Sequence, residues 1–437
     1  VKAPKAIVAL AAAIAIGAAW PWFAAHRAQA SSAPPAPIQT DYLERNALIA
    51  FYEREARRDS TDQITRRVLG GEYMQRFRET GDLNDVTRAL AVANDSLRLQ
   101  PQGNVQALDV IASCDVAFHR FAAALGAEEA AVEAAPFDDN ARAQAASILM
   151  EMGRYDAAAH ILARPVQSDP NPTWMSIRAR YDELNGNLAG ARVQMAAATA
   201  IVDRMIVIPA YTRSWYHTRM AQLAFEAGDP SSAAAQFDQA LRIFPDNAMG
   251  LLFEAKLYRA RHDWRRALAA ATRSAELYPL PQALGYEADA QRALGDLAGA
   301  SRTDALIRVE QRLFNAQGVN DRLLAMYYAE HREHLVDALR AARSDLAKRG
   351  DEIYADDTMA WVLAAMGRWD AARLYALRAT RYGTADPELE YHAAAIAWRT
   401  GHLSEARRRL RAVLEDDPQF HPVYAGEARR LLEAIGA

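Results

Sequence analysis

The chain has 437 residues, 51% of them hydrophobic, enough for two or three globular cores or for one long array. Its net charge is −4 and its pI about 6.2, so no basic excess exists to drive phosphate binding by counterion release, and nucleic acid is not expected as a partner. The one cysteine, Cys114, excludes an internal disulfide.

Residues 1–30 contain no acidic residue, open with Lys2 and Lys5, run apolar from Ala6 to Ala19 and end in Ala28-Gln29-Ala30. A basic start, an apolar run and a small-x-small site predict an export signal cut after Ala30. The competing expectation is an uncleaved anchor, because residues 6–25 are about long enough to cross a bilayer and would then associate with the membrane. Lys2 and Lys5 stay inside in both cases, which places the rest outside the cytoplasm: periplasmic, extracellular or membrane-anchored. Loss of Lys2, Lys5 and Arg27 takes three cations from −4 and leaves −7. Residues 31–40, with Ser31 to Pro37 reading SSAPPAP, form a Pro-rich linker.

Residues 41–62 predict an N-terminal capping helix whose apolar stripe is Leu43, Ala47, Ala50 and Phe51. From Gln63 onward a unit repeats, most clearly from Asp138 to Pro170. There two apolar-periodic segments, Ala141 to Met152 and Tyr155 to Ala163, flank Gly153-Arg154, and Pro170 lies 34 residues after Pro136. Ten turn residues can be followed: Gly81, His119, Gly153, Gly186, Gly228, His262, Gly295, Glu333, Gly367 and Gly401. Glycine suits a residue that leaves a helix with positive φ. Five residues after the turns comes an alanine column, Ala124, Ala158, Ala191, Ala233, Ala267, Ala300, Ala338, Ala372 and Ala406. Seven residues before them runs a second, Ala112, Ala146, Ala179, Ala221, Ala255, Ala288, Ala360 and Ala394, broken by Met326. Prolines 101, 136, 170, 245, 279 and 418 end second helices.

The array, residues 63–418, has irregular stretches near 201–213, where the turn spacing grows to 42, and near 312–334. Residues 419–437 predict a C-terminal capping helix with Arg429, Arg430 and Glu433 outward.

This agreement of turn, alanine and proline columns resembles the tetratricopeptide repeat (TPR) family. The resemblance implies an all-α, right-handed superhelical solenoid of antiparallel helix pairs with terminal caps. It also implies a concave groove, lined by the first helix of each pair, that takes a protein or peptide ligand. Carried onto this sequence, the groove positions are Arg180, Trp215, Arg219, Gln222, Lys256, Arg259, Tyr286, Arg292, Tyr327, Tyr354, Trp361, Tyr391 and Trp398. The middle of that set reads as basic and its C-terminal end as aromatic, although Trp361 and Trp398 fit the inter-repeat core equally well by spacing. Arginine forks and rigid aromatics are the residue types that dominate binding hot spots. Family members that clamp a C-terminal carboxylate use a Lys/Asn set that Arg180, Gln222 and Lys256 only approximate.

No phosphate loop, nucleophile elbow, metal-binding Cys pair or HExxH occurs. His331 and His334 share a helix face but read better as a solvated cluster than as metal ligands. The carboxylate pairs Asp138-Asp139 and Asp356-Asp357 read as helix caps. Cys114, among Ala, Val and Phe, reads as a buried structural thiol. The expectation is a non-catalytic exported scaffold or adaptor without cofactor or metal, serving assembly or maintenance of a cell-envelope or secreted system. The alternative is an accessory or sensor subunit that stacks a glycan or other small polymer on groove aromatics.

Overall fold

The computed structural model describes residues 40–167, 170–316 and 322–436. The chain divides into Val1–Ile38 and Gln39–Ala437, and the expected export segment lies outside the described residues. The described residues contain 22 α-helices and no strand, and none of these helices is long and apolar enough to cross a membrane.

A lone helix, α1 (Thr40–Arg58), precedes ten antiparallel pairs. These are α2 (Gln63–Thr80) with α3 (Leu83–Leu99), α4 (Val105–Ala117) with α5 (Phe121–Ala134), and α6 (Asp139–Glu151) with α7 (Tyr155–Leu162). Next come α8 (Pro172–Leu184) with α9 (Leu188–Val202), α10 (Ala210–Glu226) with α11 (Pro230–Ile243), and α12 (Ala248–Ala260) with α13 (Trp264–Leu277). The last four are α14 (Pro281–Ala293) with α15 (Leu297–Ala316), α16 (Arg322–His331) with α17 (Leu335–Arg349), α18 (Ile353–Ala365) with α19 (Trp369–Ala379), and α20 (Pro387–Arg399) with α21 (Leu403–Asp416). Helix α22 (Tyr424–Gly436) closes the array. Local chemistry starts the helices: Asp62, Asp82, Asp138, Asp229 and Asp386 each accept from a backbone N–H in the first turn, and Pro172, Pro230, Pro281 and Pro387 occupy the first helical position.

Both alanine columns are buried, none of the seventeen alanines more than 2% exposed, so the helix backbones approach at those points as closely as a methyl allows. The eighth unit differs from the sequence reading by one residue. Its left-handed turn residues are Arg332 and His334, not Glu333, so the position seven before the turn is the fully buried Ala325 rather than Met326. The column is therefore unbroken, and the extra residue sits in the turn. His119 and His262 take the left-handed conformation expected of them.

Other expectations are corrected. Helix α7 stops at Leu162, three residues before Pro165, so Pro170 does not end it. On α1 the inward residues are Arg45, Ile49 and Tyr52, while Ala47 and Phe51 of the expected stripe are exposed. Arg45 lies inward because Glu72 and Glu79 receive its guanidinium, at 2.6 and 2.8 Å. Asp356 and Asp357 lie inside α18, whose cap is Glu352; Asp356 pairs with Arg378 and Arg381, and Asp357 with His392. The extra residues near 201–213 form a loop, 203–209, in which Ile206 and Val207 are 98% and 90% exposed, and Ala210 N–H just beyond it donates to Asp41 Oδ2 at 2.8 Å. Helix α15 runs through the start of the second irregular stretch. On α22, Arg429, Arg430 and Glu433 face solvent while Tyr424, Ala425 and Ala428 pack on α20 and α21.

The array winds far enough to meet itself. Tyr155 at the third turn accepts from Ile353 N–H at 3.1 Å, and Arg349 pairs with Glu151. Thr384 donates to the Leu184 carbonyl at 2.6 Å, and Arg261 reaches Asp417 at 3.1 Å. Gly228, at φ +67, rests on the carbonyl of Asp416 so closely that a Cβ there would collide with it. Turns therefore pack on loops some 150 to 200 residues later.

Candidate functional site: the inner face of the coil

Because the coil closes, the first helices of the pairs meet one another across its axis. Arg180 of α8 lies 5.5 Å over the Tyr354 ring of α18, Lys256 of α12 pairs with Glu388 of α20 at 3.0 Å, and Arg259 reaches Glu330 of α16 at 3.5 Å. The first-helix residues expected in the groove are thus brought together, but mostly in contact with each other.

The expectation of a basic middle is corrected. Each cation already has a carboxylate from the same face. Glu183 holds Arg180 and, at 2.5 Å, Arg219, which also contacts Gln222. Asp289 binds Arg259 at 2.9 Å and Arg292 at 3.1 Å, and Asp304 takes Arg292 in a two-pronged contact at 2.6 and 2.7 Å. Burial opposes ionisation of Asp289, yet Arg259, His331 and Arg292 together hold its carboxyl below the usual range. Burial alone would lower the Lys256 and Arg259 cations, and the carboxylates around them instead raise both.

The aromatic end is corrected as well: its rings are mainly core. Tyr391 is 2% exposed, donates to Glu427 at 2.5 Å and stacks on Tyr424 at 4.6 Å between centroids. Trp361 donates to the Tyr424 hydroxyl at 3.0 Å and stacks on His392 at 4.1 Å, and Trp398 packs in the same cluster. Tyr327 is buried and donates to Asp304 at 3.0 Å; Tyr286 is buried beneath Arg259. Trp215 packs edge-on against Tyr216 beside Ile208. His331 turns to Asp289 at 2.9 Å while His334 lies against Tyr328, so the two histidines serve different neighbours. Among the described residues no group of three His, Cys, Asp or Glu side chains is placed to hold a metal ion.

What the sequence reading missed is the acidic half of this face: Glu183, Glu226, Asp289, Asp304, Glu330 and Glu388. A signal existed, since Glu183 stands three residues after Arg180 and Asp289 three before Arg292 on inward helix faces. Beside Lys256 the lining leaves a cavity of about 40 Å³, walled by Gln222, Phe225, Glu226, Phe253 and Asp386.

Repeated antiparallel pairs, close-contact alanines and a lining drawn from first helices define a TPR-like helical repeat fold. No family model matches the chain, and no curated protein matches it. Among solved structures it is similar to yeast Tom70, at 10% identity and a TM-score of 0.35 over 86% of this chain and 95% of that one, a likeness from which nothing about ligands follows.

Proposed function

We propose that the chain is a non-catalytic scaffold that binds a protein or peptide partner, acting outside the cytoplasm in assembly or maintenance of a cell-envelope or secreted system. One observation supports it: the first helices from α8 to α20 bring charged side chains onto one continuous inner face that includes a cavity. An acidic ligand would have to displace carboxylates already bound, so its gain is only the difference between two ion pairs. A cation would displace a bound cation on the same terms, except beside Glu226, whose side chain has no ion-pair partner among the described residues. The buried tyrosines offer no free stacking platform, which weighs against a glycan.

The test is photo-crosslinking in the native host, with a benzophenone residue placed at Gln222 of α10 or, as control, at Arg430 on the outer side of α22. A protein crosslinked from Gln222 and not from Arg430 is expected. Crosslinks from Arg430 alone would move the site off the inner face. N-terminal sequencing of the same material is expected to begin at Ser31; material found whole in the cytoplasm would end the export reading.

A further inference from the structure

The cavity beside Glu226 is bounded by the end of α10, which supplies Gln222, Phe225 and Glu226, by Phe253 and Lys256 of α12, and by Asp386 at the start of α20. Its charges can be assigned one by one. Glu183 holds both Arg180 and Arg219. Glu388 holds Lys256 at 3.0 Å. Asp386 is committed to the helix start, where its Oδ1 accepts from the N–H groups of Glu388 and Leu389 at 2.9 and 3.3 Å. The Glu226 side chain lines the cavity, and no hydrogen bond or ion pair joins it to another described residue. Four carboxyl groups thus stand around three cations, and the one without a partner borders the open space.

The walls narrow the choice of ligand. Phe225 and Phe253 present ring surface, and the Lys256 ammonium already lies 5.9 Å from the Phe225 centroid, at the reach of a cation–π contact. A metal ion calls for several oxygen ligands, and no such group exists here among the described residues. An anion would face Glu226 and Asp386. A carboxylate with aromatic walls is the environment of an organic cation, and a space of about 40 Å³ admits a head group rather than a folded surface.

We propose that this cavity binds an ammonium or guanidinium group, presented by a Lys or Arg side chain of the partner, with Glu226 as its counterion. The proposal rests on the scaffold reading and specifies its ligand chemistry. Burial, then the charges of Glu183 and Asp386, push the Glu226 carboxyl well above its ordinary range, against the opposing pull of Arg219 and Arg180. A cation entering beside it favours the ionised carboxylate and opposes that rise.

The full chain is titrated by calorimetry at pH 7 with tetra-lysine, tetra-arginine, spermidine and tetra-glutamate. The expected result is binding of the basic peptides, weakened at least about tenfold in Glu226→Gln. Glu226→Lys, which builds the cation in, should abolish binding while circular dichroism stays helical. Spermidine bound with the same dependence on Glu226 identifies a free amine as ligand and overturns the assignment to a partner side chain. Basic-peptide binding unaffected by either substitution, or tetra-glutamate bound more tightly, overturns the proposal. If the cation titration fails while Gln222 still crosslinks a partner, the ligand chemistry alone falls; if the crosslink fails, the scaffold reading falls with it.

Discussion

Glu128 on α5 has no exposed surface, and its charged neighbours are Asp109 of α4 and Asp138. Burial and then Asp109 push its carboxyl up to about 9, and burial raises Asp109 as well. A carboxyl raised in the folded state favours folding below its unfolded value and loses that contribution as pH rises through the folded one. Wild-type stability is therefore expected to fall from about pH 5 to pH 9, and Glu128→Gln to flatten the fall and exceed the wild type by at least about 1 kcal/mol at pH 8. Urea midpoints at pH 5, 7 and 8.5 measure it; identical slopes for the two proteins would mean that Glu128 ionises freely. Cys114 makes a simpler case. It is fully buried, 3.4 Å from Met74 Sδ, and burial pushes its thiol up to about 12. Iodoacetamide at pH 8 should leave it unmodified in the native chain and alkylate it in urea, as mass spectrometry would read directly.

Among elements, the helix pairs are legible in the sequence because their constraints act locally. A left-handed turn residue, a methyl at a backbone crossing and an aspartate or proline at a helix start each mark a fixed position. The eighth unit shows the limit: with Glu333 taken as the turn, Met326 occupies the column, and only the actual backbone moves it to Ala325. Ala325→Leu should accordingly cost about 1–3 kcal/mol through overpacking, whereas Met326→Leu should change stability by less than about 1.5. Thermal melts of the two variants decide the register. Less legible were the inward side of α1, where two glutamates on α2 draw Arg45 inward, and the acidic residues of the inner face. Their partners come from other units, and which units face each other depends on angles accumulated over several pairs rather than on any one spacing.

At the scale of the molecule, two glycines separate local from coil-to-coil effects. Gly228 and Gly401 share a positive φ, but a Cβ on Gly401 meets open space while one on Gly228 strikes the Asp416 carbonyl. Gly401→Ala should cost about 1–2 kcal/mol from its conformation alone, and Gly228→Ala more, with faster hydrogen exchange near 416–421. Equal losses would mean that the turns do not press on each other. In an ordinary repeat array stability is a sum over neighbours and any stretch can fold alone. Here Tyr155 is held by Ile353, and Leu184 by Thr384. During synthesis the third and fourth pairs form early, yet their outer edges stay wet until nearly two hundred further residues have emerged. The chain should thus pass through a long-lived half-built state, cleavable by protease in its early turns, and lock as one cooperative body only when its last third arrives.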